Sequence, residues 1–125
     1  MKGRLFAAVF CLLAALFMSV GSEKYIVKKS DELIGLIDNA LNAPEDSEEM
    51  YSAALASCDG WDGCEMLFGS LLKHTDADEL DHNYSLIREY VKSQNTDELI
   101  ETLEECKIAV KVIADGEKPR AENIF

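Results

Sequence analysis

Past residue 22 the apolar residues recur at steps of three and four almost without interruption, and this period constrains the fold more than any other feature. Ile26, Leu33, Ile34, Ile37 and Leu41 form one stripe. Leu99, Leu103, Cys106, Val110 and Ile113 form the cleanest seam, at 4-3-4-3 spacing. No strand-like alternation of useful length occurs, and there is no internal repeat or low-complexity tract. A helix with one apolar face must bury that face against another element. The chain is therefore expected to be all-α, a small antiparallel bundle of about four helices joined by short loops.

The punctuation between stripes sets the expected boundaries. Ser30 either caps a fresh helix at Asp31-Glu32 or lies inside one that runs on from the N-terminus. Asn42-Ala43-Pro44 ends the first stripe, since Pro44 disfavours helical geometry at Ala43 and suits the first turn of the next helix. Glu45, Asp46, Glu48 and Glu49 would complement the dipole of that turn. The second helix is expected to bury Tyr51, Ala54, Leu55, Cys58, Trp61, Phe68, Leu71 and Leu72, with a break or kink at Asp59-Gly60-Trp61-Asp62-Gly63. Thr75 with Asp78, or Asp76 with Glu79, supplies a capping pair for a third helix, whose stripe is Leu80, Tyr84, Ile87, Tyr90 and Val91. Asn95 with Glu98 caps the fourth, and Gly116 stands where a C-cap glycine would close it.

The N-terminus is a different kind of sequence. Lys2 and Arg4 precede Leu5 to Gly21, a run of 17 residues without a charge. A basic stub before an apolar stretch is how a chain enters the export pathway, so residues 1–22 are expected to be a signal peptide or membrane anchor and 23–125 the bundle. Ser19-Val20-Gly21 has the small residues a signal peptidase requires at the first and third places. As an anchor, the run is short for a hydrocarbon core of about 30 Å, and Tyr25-Ile26-Val27 is the available extension. The positive-inside rule would place the domain outside the cytoplasm, single-pass at the cell membrane or secreted after cleavage.

Charge narrows the partners. Residues 22–125 hold 10 bases against 24 acids. Such a surface disfavours nucleic acid and anionic lipid head groups. Three cysteines follow the N-terminal run, Cys58, Cys64 and Cys106. An odd number is no disulfide framework, and Cys58 and Cys64 point to different faces of a helix unless a glycine breaks it. Pairing of Cys106 with one of them across helices stays open beside the plainer reading of small buried apolar residues.

Potential ligands are densest between His74 and His82, where His74, Asp76, Asp78 and His82 are the candidate binding residues. Asp78 and His82 share a helix face and could bridge a divalent cation. An EF-hand is excluded, because Leu80, Asp81 and Ile87 occupy positions that need a ligand, a glycine and a glutamate. Glu98, Glu101, Glu104 and Glu105 read as a solvated face, not an acid–base pair, since a pair needs pKa values driven apart in a dry pocket. Asn83-Tyr84-Ser85 is a glycosylation sequon in a helical stretch. There is no nucleophile elbow, Cys-x-x-Cys or phosphate loop, so no enzyme activity and no cofactor is expected.

Several elements in order resemble an uncharacterised bacterial family of short exported proteins, the domain-of-unknown-function family forty-three sixty-three. They are an N-terminal apolar segment leading into Ser30-Asp31-Glu32-Leu33, Trp61 in the second helix, the run Leu71 to Leu80 with His74, Asp76 and Asp78 at alternate places, Ile87-Arg88-Glu89-Tyr90, and the ending Asn123-Ile124-Phe125. Cys58, Cys64, Gly60 and Gly63 depart from the pattern and put the continuity of helix two in question. The resemblance implies a membrane-tethered extracytoplasmic helical domain and no activity. The expectation is a non-enzymatic interaction module for another cell-envelope protein, with Ile124 and Phe125 as partner-docking residues. The alternative is a secreted binder of a metal or other cationic ligand through His74–His82.

Overall fold

The computed structural model describes the backbone of residues 2–72 and 74–124, and the side chains of these except residues 2, 17–20, 22–23, 74 and 117–124. Four helices follow one another among these residues, α1 (Lys2–Asn42), α2 (Glu48–Leu71), α3 (His74–Ser93) and α4 (Thr96–Ile124). Short turns reverse the chain three times, so α2 runs back along α1, α3 along α2, and α4 along both α3 and α1. The result is an up-down-up-down bundle with each helix touching two neighbours.

The core follows the stripes. Ile26, Leu33 and Ile37 of α1, Leu80, Tyr84 and Ile87 of α3, and Leu99, Leu103, Cys106 and Val110 of α4 are buried, with Ile34, Leu41, Tyr90, Val91 and Ile113 packed at the edge. In α2 the inward face is Met50, Ala54, Cys58, Trp61, Cys64 and Phe68. This corrects the expected face, for Tyr51 is half-buried, and Leu55 and Leu71 are exposed. The true stripe steps 50-54-57-58-61-64-68 and includes two polar or weakly apolar side chains, Ser57 and Cys64.

Several boundaries differ from expectation. The helix α1 passes through Ser30 without restarting, and Ser30 is buried inside it. Pro44 lies in the turn, and α2 begins later because Ser47 is its N-cap, its Oγ accepting from Met50 N–H at 3.1 Å. Only Glu48 and Glu49 occupy the first turn. Asp46 instead turns the chain at φ 59°. Its carboxylate accepts from Tyr51 Oη at 2.6 Å and Thr96 Oγ1 at 2.9 Å, tying this turn to the start of α4.

The glycines of α2 do not break it. Gly60 lies where α1 and α2 approach closely, and a Cβ there would come within 2.7 Å of Leu36 Cδ1. Its lack of a side chain lets the two helices meet with Leu36 undisplaced. Thr75 and Asp76 lie inside α3 and do not cap it, since α3 starts at His74. Asn95 precedes α4 as expected, with Leu99 N–H donating to its carbonyl at 3.0 Å. Gly116 does not end α4, as its φ is not positive and the helix continues to Ile124.

One part of the fold stands outside the bundle. α2 returns only as far as Tyr25, whose ring meets Phe68 edge-on at 6.5 Å. Before that point Leu5, Phe6, Val9, Phe10, Leu12, Leu13 and Leu16 are exposed at 48 to 75%. The first half of α1 is thus a bare apolar stalk. Ile26 is buried in the core and Tyr25 packs on it, so the bundle, not the apolar run, claims the expected extension Tyr25-Ile26-Val27. Among the described residues no helix is long and apolar enough to cross a membrane.

Candidate functional site

A groove of about 560 Å³ lies between the N-terminal half of α3 and the C-terminal half of α4. Its volume falls in the range of small-ligand and side-chain sites. Asp76, Glu79 and Asn83 line one wall at steps of three and four along α3. Glu105, Ile108, Ala109, Val112 and Ile113 line the other along α4, and Leu72 and Gly116 close the stalk end. The wall exists because α4 is apolar over more than one face. Its seam turns inward, which leaves Ile108 and Val112 on the next face, 62% and 65% exposed. The rim carries three carboxylates and no lysine or arginine among the described residues.

Of the expected site, Asp76 alone lines this groove. Asp78 and His82 are exposed on α3 and do not join it. The side chains of His74 and Ile124, and the whole of Phe125, lie outside what the structure describes. Among the described residues no three histidine, cysteine, aspartate or glutamate side chains converge as metal ligands. Asn83 of the sequon is buried, so a glycan has no room there. Sequence reasoning missed Ile108 and Val112. The signal was the run Ile108-Ala109-Val110-Lys111-Val112-Ile113, which has more apolar residues than one seam can bury.

Away from the groove, α2 and α3 are joined by a polar edge around a buried aromatic. Trp61 stacks on Tyr84 with centroids 5.5 Å apart and meets Phe68 edge-on at 5.6 Å. Its Nε1–H donates to Asp81 Oδ1 at 2.8 Å. The neighbouring Asp81 carboxylate, with partial desolvation, raises the Glu65 carboxyl above its ordinary range. Arg88 pairs with Asp62 beside them. Solvent reaches this edge, and it functions as a clasp between helices.

The three thiols are inward. Cys58, Cys64 and Cys106 are buried and free, the placement of small apolar core residues. Burial pushes the Cys58 thiol up to about 11 and the Cys106 thiol up to about 12, and raises Cys64 as well. Cys58 Sγ donates to the Tyr84 carbonyl at 3.6 Å. Thiols held this far from ionisation are poor nucleophiles and poor metal ligands. Cys106 is close enough to perturb Tyr84, but its sulfur is not in hydrogen-bonding geometry, and the Tyr84 hydroxyl is buried without a partner.

A family model described as Domain of unknown function (DUF4363) matches residues 20–124. The chain belongs to this family. The match spans the bundle, with the groove, the Trp61 clasp and the buried thiols inside it, and leaves residues 1–19 outside. No curated protein and no solved structure shows significant similarity to the chain. The DUF4363 description carries no activity, so function rests on the geometry.

Proposed function

We propose that this DUF4363 protein is a non-enzymatic helical interaction module, delivered outside the cytoplasm by its N-terminal segment and displayed there to another cell-envelope protein. The observation that carries this reading is the stalk. Seven large apolar side chains between Leu5 and Leu16 have no protein against them, and exposing so much apolar surface to water on one narrow helix is strongly unfavourable. Lipid would cover it, or a peptidase would remove it. Lys2 and Arg4 ahead of it favour a cytoplasmic N-terminus, an asymmetry that Lys24, Lys28 and Lys29 on the other flank weaken. The bundle end meets this demand without the stalk, since its core closes at Tyr25 and Ile26.

The interaction role is supported by the groove, which offers an open apolar floor, and by the chemistry around it. The buried thiols are held protonated, and no catalytic motif accompanies the exposed acids. The test is a photo-crosslinking amino acid placed at Val112 in living cells, with Glu49 at the far end of the bundle as control. A discrete protein adduct at Val112 and none at Glu49 is expected. Equal or absent crosslinking at both positions contradicts the module.

The second reading, a secreted binder of a metal or other cation, rests on Asp78 and His82 sharing an exposed face of α3 with Asp76 nearby. Calorimetric titration with zinc, calcium and manganese decides it. Absence of heat at millimolar metal removes this reading.

A further inference from the structure

We infer that the α3–α4 groove receives a basic amphipathic helix of the partner protein, with its apolar face on Ile108 and Val112 and its lysines or arginines against Asp76, Glu79 and Glu105. This rests on the interaction reading and names the chemistry of its partner. The argument is one of complementarity. The floor is apolar and open, with Ile108 and Val112 one helical turn apart on α4 and both more than half exposed. That spacing is matched by the i, i+3, i+4, i+7 anchors of a helix laid along a groove. The acids stand on both walls, Asp76 and Glu79 on α3 and Glu105 on α4, so a helix lying between would meet carboxylates along both its flanks.

Other occupants fit less well. A second copy would bring a bundle whose residues 22–125 hold 10 bases against 24 acids, and like charge across the interface is costly. An anionic lipid surface is disfavoured by the same rim. A neutral apolar ligand would leave the three rim carboxylates without partners, whereas a basic helix pairs them and covers the floor at once.

The probe is a synthetic helical peptide with leucines at i, i+3, i+4 and i+7 flanked by lysines, labelled and titrated by fluorescence anisotropy into the full-length chain in nanodiscs. A second peptide replaces every lysine by glutamate. The lysine peptide is expected to bind, more weakly as salt rises, and the glutamate peptide is not. The double variant E79Q/E105Q should weaken binding by roughly threefold to tenfold, the range of two partly exposed ion pairs. I108S/V112S should abolish it. These positions lie on the surface, so an unchanged circular-dichroism melt shows that a loss is not unfolding.

The inference is overturned if both peptides bind alike, if neither binds, or if binding survives the groove variants. It is equally overturned if sedimentation shows dimers that I108S/V112S dissolves, which would make a second copy the occupant. A Val112 crosslink in cells without peptide binding would leave the interaction module standing and sink only the basic helix. Failure of both experiments would remove the two together.

Discussion

Tyr84 shows how little freedom a buried side chain retains. Its ring lies parallel to Trp61, with an interplanar angle of 6°, while its hydroxyl is sealed in the core with no hydrogen bond. An unsatisfied buried hydroxyl costs about 1–3 kcal/mol, whereas the ring carries the packing. Tyr84→Phe should therefore stabilise the bundle by about 1 kcal/mol, read as a higher urea midpoint at unchanged slope. A lower midpoint would mean that the hydroxyl has a partner after all. The neighbouring thiols give a second outcome at this scale. With burial holding Cys58 near 11 and Cys106 near 12, neither should react with iodoacetamide at neutral pH in the folded protein, and both should react on unfolding. Rapid native alkylation of either would contradict their placement.

The turns between elements store strain that the helices on either side overcome. Gln94 closes α3 at φ 55°, with Asn95 N–H donating to the Tyr90 carbonyl at 2.9 Å and Gln94 N–H to that of Val91 at 3.2 Å. That is the glycine position of a Schellman cap. Gln94→Gly should raise stability by about 1 kcal/mol, since glycine adopts this conformation without a Cβ penalty. A melting point that falls would contradict the cap. At the other turn, Tyr51 and Thr96 hydrogen bonds hold the Asp46 carboxyl below its ordinary value. A carboxyl depressed by folding contributes stability above its unfolded pKa and loses it as pH falls through the folded one. Asp46→Asn, which tolerates the same backbone, should flatten the acid limb of the melting profile as pH falls below about 5. An unaltered limb would mean the turn bonds do not sense pH.

Much of this was legible in sequence at the level of elements. The stripes of α1, α3 and α4 are visible because single helices facing one core repeat at 3.6 residues. The face of α2 was harder to read. Ala54, Cys58, Trp61 and Phe68 were legible, but its inward positions also include Ser57 and Cys64 while Leu55 and Leu71 face outward, so hydrophobicity alone misplaced part of the face. Gly60 looked like a break because its reason is Leu36, a residue on another helix. The groove was illegible for the same reason. Asp76 was readable as a candidate, but Glu79, Glu105, Ile108 and Val112 meet only once α3 and α4 pair.

For the whole molecule, the division is between a stalk with apolar side chains open on its surface and a bundle that closes its own core. Met66, Leu67 and Leu71 are also exposed on the last turns of α2, at the end from which the stalk emerges. The rim of the α3–α4 groove is acidic, and the groove lies toward that same end. A bundle delivered across a membrane by its N-terminal segment, and offering this groove to a partner, accounts for both features. The most direct test is the intact mass of the protein recovered from membrane, exported and cytoplasmic fractions after expression in a bacterial host. The account predicts full mass in a membrane fraction that resists salt washing, or a mass short of residues 1–21 in the exported fraction. Full-mass protein in the soluble cytoplasmic fraction would contradict it.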